Sequence, residues 1–309
     1  MPRPFRFTVQ GGVHQEGPNA LLLDHGLLAE HVRTVESLGY QEFYSWDHLG
    51  AVDPFVPLVV AATAAPTLRI GPLVLNNEFH HPAMLARTAA TVDRLTGGRL
   101  VLGLGTGYDE SEHESIGAPI RPPGPRVARF AESLVVLRAL LDTGAVQHDG
   151  EHHHLKIHDL GVRPVQERVP FLIGGHGPRV VALAGRYADI FQFTGLTHGP
   201  DGKPAGDFAL SSLDQRARWL SAAAGDREIE RSALVQFVGV GPSAPSAEDL
   251  AAQFKVDADI LRETPFALFG SVEQVVDRIE RLRERLGISH YVIRDPVNFA
   301  PVVEALSGR

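Results

Sequence analysis

Short apolar runs alternate along the chain with longer stretches in which apolar residues recur every three or four positions. The first pattern predicts strands, the second helices packed by one face. Phe5 to Val9 (FRFTV), Glu42 to Trp46 (EFYSW), Leu68 to Leu75 (LRIGPLVL) and Arg99 to Leu104 (RLVLGL) read as the first four strands. Val169 to Ile173, Asp189 to Phe193, Ala233 to Val240 and His290 to Ile293 read as four more. Between them, Leu21 to Leu38 sets Leu28, Val32 and Val35 on one face, and Gly39 stands where a helix would stop. Pro82 to Leu95 begins with a proline, tolerated in a first turn, and ends just before Gly97-Gly98. Helices are also predicted over Pro57 to Ala65, Arg126 to Asp142, Arg179 to Gly185, Leu213 to Ala224, Ala247 to Leu261 and Val272 to Leu286.

Eight strands separated by helices, with no long polar linker, predict one α/β domain over residues 1–309, a (β/α)8 TIM barrel with insertions. A doubly wound open sheet is the alternative, disfavoured by the spread of strands over the whole length. Two stretches leave the rhythm. Residues 145–160 read as a hairpin excursion turning near Asp149-Gly150. Residues 194–210, rich in Gly, Pro and Asp, read as an insertion loop, suited to a lid or to a subunit contact.

Composition narrows the chemistry. Cysteine is absent, which removes disulfides, thiolate nucleophiles and Cys-held metal clusters. Acidic residues outnumber basic ones 37 to 29, giving a net charge of −8 and no basic footprint for nucleic acid. No apolar run is long enough to span a bilayer and the first ten residues do not resemble a secretory leader, so a cytoplasmic, membrane-free protein is expected. No metal-site spacing is recognisable; His152-His153-His154 falls in the hairpin, where neighbours alternate faces, and is expected to be solvated.

A barrel places its active site at the C-terminal ends of its strands. That rule selects Gln10 and His14, Trp46-Asp47-His48, Asn76-Asn77 with His80-His81, Gly105-Thr106-Gly107-Tyr108, Gly174-Gly175-His176-Gly177, and then Gln192, Gln236 and Arg294. Histidine suits proton exchange near neutrality, so His48 is a candidate acid–base, with Asp47 orienting it or accepting a ring N–H from a ligand. The same pair could instead be a supporting hydrogen-bond network. Tyr108 and His14 are further proton donors. The Gly174–Gly177 turn with Arg179 at a helix start favours a phosphate, or else is a turn that needs positive φ. Aromatic residues at Phe43, Trp46, Phe55, Phe79 and Tyr108 near strand ends suggest an apolar substrate pocket.

Taken together, four stretches resemble the bacterial-luciferase-like flavin and deazaflavin oxidoreductases. They are Ser45-Trp46-Asp47-His48, the block LRIGPLVLNNEFHHPAMLARTAATVDRLTGGRLVLGLGTGY from Leu68, PFLIGGHGPRVVALAGRYAD from Pro170, and PFALFGSVEQVVDRIERLRERLGISHYV from Pro265. The resemblance implies a TIM barrel, and the Trp-Asp-His triplet with the compact length implies the branch using the 5-deazaflavin coenzyme F420, with FMN and a two-component monooxygenase as the alternative. It implies Asp47 against the ring, a bulge behind it through a cis peptide at Leu73-Val74, and Asn76 at the ring edge. Gly105, Thr106 and Gly107 would line the side chain, and Gly174, Gly175, His176, Gly177 and Arg179 would hold the phosphate. His48 matches the histidine that sugar-phosphate dehydrogenase relatives use as a proton shuttle. Tyr108 stands where they carry a glutamate, and Val52 where they carry a second tryptophan, so the substrate is expected to differ. Glu110 or Glu112 could supply a carboxylate from the same loop. A small-molecule substrate, a homodimer and a reductase of F420 or flavin are the implied partners; a coenzyme-binding protein without turnover is the non-enzymatic alternative.

Overall fold

The computed structural model describes residues 3–11, 18–198 and 204–309; His14 lies outside them. Eight parallel strands close into a barrel: β1 (Arg6–Gln10), β2 (Glu42–Ser45), β3 (Arg69–Pro72, resuming at Leu75–Asn76), β4 (Leu102–Gly105), β5 (Phe171–Gly174), β6 (Ile190–Thr194), β7 (Glu230–Leu234) and β8 (Ile288–Ile293). Each pairs with the next, and β1 pairs with β8 from Arg6↔His290 to Val9↔Ile293. The seam between β3 and β4 carries an isolated bridge Ile70↔Leu100 and then Leu75↔Leu104 and Asn76↔Gly105. Backbone approaches backbone there: a Cβ on Gly71 would stand 2.1 Å from the Val101 carbonyl oxygen, and one on Gly103 2.0 Å from that of Pro72. Only glycine fits both positions. β3 is interrupted where the Leu73–Val74 peptide is cis.

Period-two alternation divides the strands. Phe7, Val9, Phe43, Phe191, Phe193 and Ala233 face outward and join the apolar layer under the helices. Tyr44, Leu73, Val101, Leu172, Ile190 and Val292 form a separate apolar layer inside the barrel. Below that layer the interior is charged. Arg6 donates to Glu42 Oε1 at 2.7 Å and to Glu230 Oε2 at 2.5 Å; Thr8 Oγ1 donates to Glu42 Oε2 at 3.0 Å, as does the Tyr44 hydroxyl. His290 Nε2 lies 2.6 Å from Thr8 Oγ1, so the imidazole donates and the hydroxyl passes its own proton to Glu42. Burial alone would raise the Glu42 carboxyl, but Arg6 beside it holds it down at about 2. Burial, then Arg6, pushes His290 down to about 3 and keeps it neutral.

Several elements differ from expectation for local reasons. The first helix is two, Pro18–Leu23 and His25–Ser37, because Asp24 accepts from Leu27 N and starts a new helix. The seventh strand stops at Leu234; Phe237–Val240 leaves the barrel and pairs in parallel with Ala267–Gly270. Helix Val272–Leu286 opens with a capping box between Ser271 and Gln274 and turns Val275, Ile279, Leu282 and Leu286 inward. Arg278 on that helix is buried, however, donating to Ala267 O at 2.9 Å with its guanidinium 4.7 Å from the Phe269 ring centre.

Val146–Asp149 and His154–Ile157 form an antiparallel hairpin. Glu132 holds its turn, accepting from the backbone N–H groups of Glu151, His152 and His153. The expectation of three solvated histidines fails at His153, which is 5% exposed and contacts Ser133 Oγ at 3.1 Å. Burial, with Arg129 nearby, pushes it down to about 4. Within the later insert, Leu196–His198 pairs with Pro204–Gly206, and buried Arg216 ties the insert to the barrel through Thr194 O and Asp207. Among the described residues, no helix is long and apolar enough to cross a membrane and no group of three or more His, Asp or Glu is placed to hold a metal ion.

Candidate active site

The C-terminal ends of the strands bring most of the singled-out residues to one mouth. Asp47 follows β2 and spans to the resumed part of β3: its Oδ2 accepts from Asn76 N at 2.8 Å and from His80 Nε2 at 2.9 Å. Its Oδ1 makes no hydrogen bond among the described residues, which leaves one carboxylate oxygen oriented and able to accept. The Asn76 carboxamide is turned into the protein instead. Its Oδ1 accepts from Glu78 N at 3.0 Å and its Nδ2 donates to His113 Nε2 at 3.0 Å. His113 Nδ1 then donates to Ala118 O at 3.0 Å, which fixes that imidazole's tautomer. A ligand would meet the backbone of Asn76, not its side chain.

His48 stands between an acid and a phenol. Its Nδ1 lies 2.6 Å from Glu112 Oε1, and its Nε2 lies 3.3 Å from the Tyr108 hydroxyl. A carboxylate at Nδ1 requires a proton there, which leaves Nε2 to exchange a proton on the side of Tyr108 and the mouth. Helix Glu110–Ser115 places Glu112; Asp109 caps it by accepting from Ser111 N and Glu112 N. Partial loss of hydration raises the half-exposed Tyr108 hydroxyl, Glu112 and Asp109 add to that, and Arg294 opposes it. Of the two loop acids considered from sequence, Glu112 reaches the histidine; its spacing from Tyr108 alone gave no means to choose.

Below the mouth, Gln10 Nε2 donates to Leu73 O at 2.8 Å, supporting the cis peptide from within the barrel. Val74 is half-buried against the interior apolar layer, and Gly105 leaves room for it, since a Cβ there would come within 2.7 Å of Val74 Cγ2. Gly107 has φ +77° and passes over the Asn76 side chain. Thr106 stands half-buried between those two glycines.

The Gly174–Gly177 turn does not owe its glycines to positive φ, since none of the three has it. Gly175 is tight against Val180, but nothing lies within 4 Å of a Cβ built on Gly177. Gly177 is the N-cap of helix Pro178–Tyr187, and no side chain caps that helix. First-turn N–H groups therefore face outward beside exposed Arg179, a donor set that fits a phosphate. The protein itself makes no demand for glycine at 177, whereas an approaching oxyanion would.

The expected apolar pocket is not assembled as the sequence suggested. Phe43 and Phe55 are buried in the layer between barrel and helices, because position 43 is outward in the strand alternation. Trp46 packs against that same layer, close over Gly11. Phe79 covers His113, with ring centres 4.6 Å apart. Only Tyr108, 52% exposed, remains at the mouth among the five.

Comparison with known proteins agrees with this architecture. The family model described as luciferase-like monooxygenase matches residues 6–290. An F420-dependent glucose-6-phosphate dehydrogenase of Microbacterium testaceum is 29% identical, with 96% of this chain and 93% of that protein aligned. Among solved structures, an F420-dependent secondary alcohol dehydrogenase in complex with an F420-acetone adduct superposes with a TM-score of 0.74 at 20% identity, covering 97% of each chain. A long-chain alkane monooxygenase does so with a TM-score of 0.77 at 15% identity, covering 99% of this chain and 92% of that one. These likenesses in structure concern the fold.

Proposed function

The chain belongs to the luciferase-like monooxygenase family, oxidoreductases that use a flavin or deazaflavin, and we propose that it transfers a hydride between coenzyme F420 and an organic substrate. The observation that carries this reading is the proton-handling group Glu112–His48–Tyr108 at the same C-terminal end of the barrel as a phosphate-fitted glycine turn. Hydride transfer to or from a carbon bearing oxygen requires a matching proton, which this group can supply; oxygen activation by reduced flavin consumes protons as well, so the choice of coenzyme leans on similarity. Near-full-length similarity to an F420-dependent dehydrogenase supports the same choice.

Gly174, Gly175, His176 and Gly177 with Arg179 would hold the phosphate, the Leu73–Val74 bulge would back the ring, and Gly105, Thr106 and Gly107 would line its side chain. Asp47 Oδ1 would accept from a ring N–H. When bound, the deazaflavin supplies a carbon that accepts or releases hydride. The protein's own work is to hold the proton: Glu112 fixes the Nδ1–H tautomer, His48 Nε2 takes or gives the substrate proton, and Tyr108 connects Nε2 to solvent. We read Tyr108 as a relay in place of a carboxylate, so a substrate other than a sugar phosphate is expected.

Calorimetric titration of the purified chain with oxidised F420 and with FMN tests the cofactor. Micromolar or tighter F420 binding with FMN at least tenfold weaker is expected. The reverse order would move the protein to reductase-coupled monooxygenation, and binding of neither would overturn the reading of the glycine turn.

A further inference from the structure

Arg294 continues the inward alternation of β8, two residues beyond Val292 and four beyond His290, and so emerges at the mouth of the barrel. Its Nε donates to Gln10 Oε1 and its Nη1 to Gln236 Oε1, both at 3.3 Å. Both partners are neutral amides at long distance, and Nη2 has no hydrogen-bond partner among the described residues. A guanidinium normally meets carboxylate or phosphate through two parallel donors. Among the described residues, none of the carboxylates around the mouth pairs with Arg294. Adjacent Asp295 turns away to accept from Asn298 N at 3.1 Å. Glu112 faces His48, Asp47 faces Asn76 and His80, and Asp109 caps its own helix. The chain carries a net charge of −8, so a cation without a carboxylate partner among the described residues of the mouth is not the by-product of a basic surface. Arg294 is exposed at the mouth; partial loss of hydration lowers its pKa, and Tyr108 acts against that shift.

We propose that Arg294 receives an anionic group of the substrate, a carboxylate or a phosphate, and thereby sets which end of the molecule faces His48. This deepens the hydride-transfer reading and rests on it for the identity of the ligand as substrate. The two amides of Gln10 and Gln236 hold the guanidinium plane without neutralising it, leaving its outer donors for an oxyanion. Tyr108, between Arg294 and His48, would then lie alongside the reacting carbon.

The test compares benzoate, phenyl phosphate and neutral benzamide by calorimetric titration of the full chain saturated with F420. At least one anion is expected to bind tenfold or more tightly than benzamide. Arg294→Gln should erase that preference and Arg294→Lys should retain part of it. Arg218→Gln, on an exposed helix face, should leave it unchanged, and F420 affinity should stay within twofold in the Arg294 variants. An anion preference that survives Arg294→Gln, or equal binding of all three probes to the wild type, overturns the assignment. So does a parallel loss of F420 affinity in Arg294→Gln, which would give the residue to the cofactor. Failure of the wild type to bind F420 would instead sink the hydride-transfer reading, and the same three probes titrated into the cofactor-free chain would still judge Arg294 as an anion receptor.

Discussion

Replacing Glu42 by Gln preserves size and most hydrogen bonds in the barrel floor but removes the charge facing Arg6. Arg6 keeps Glu230, and it cannot leave the interior. Breaking one partner of a buried ion pair costs about 3–5 kcal/mol. The titration of the same group gives a compatible size: a carboxyl held at about 2 against an ordinary 4.5 corresponds to about 3 kcal/mol, at about 1.4 kcal/mol per pH unit. Unfolding entropy of about 2.1 cal/mol/K per residue gives about 0.65 kcal/mol/K for the 309-residue chain, so the expected fall in Tm is about 5 °C. The pH dependence has a definite sign. The depressed Glu42 contributes stability present above about 4.5 and lost as pH falls towards 2. His290, held at about 3 against 6.5, stays neutral while the unfolded chain takes up a proton, so stability also falls from pH 6.5 downward. Scanning calorimetry between pH 7 and 4 should show declining Tm in the wild type, with the Glu42→Gln chain starting lower and declining less steeply below about 4.5. A Tm within 1 °C of wild type at pH 7, or parallel acid limbs, would refute the view that this carboxylate is ionised and paired in the fold.

Glu112→Gln should lower kcat by about 10- to 100-fold on any substrate returned by an F420-linked screen and shift the pH profile, with F420 affinity unchanged; an unaltered profile would make the Glu112–His48 contact incidental. Two glycine substitutions should separate fold from site. Gly177→Ala, with open space around it and negative φ, should leave Tm within 1 °C yet weaken F420 tenfold or more, whereas Gly103→Ala, forced against Pro72 O, should destabilise the barrel by about 1–3 kcal/mol or more. Equal Tm losses in the two variants would contradict the account of both positions.

The eight strands could be read from the chain because each is a short apolar run between helices of clear period, and burial on both faces imposes that composition. The same property hid the facing of individual residues. In β1, Arg6, Thr8 and Gln10 point inward, and their polarity made the alternation visible. In EFYS every residue is buried, so Phe43 looked available to the mouth although the strand turns it to the helices. Counting outward by twos from Glu42, whose charge could be stabilised only by an interior partner, would have placed Phe43 correctly. The pairing of His48 with Glu112 was beyond such counting, because helix Glu110–Ser115 follows β4 and its turn, not its spacing, brings the carboxylate across to β2. Gly177 marks the opposite limit. A glycine whose backbone and neighbours make no demand for it is visible only once the structure shows the empty space around it. Arg294 joins the two lessons. Its inward position follows from the period of β8, while its lack of a carboxylate partner among the described residues emerges only from the contacts of Asp295, Glu112, Asp47 and Asp109 with other groups.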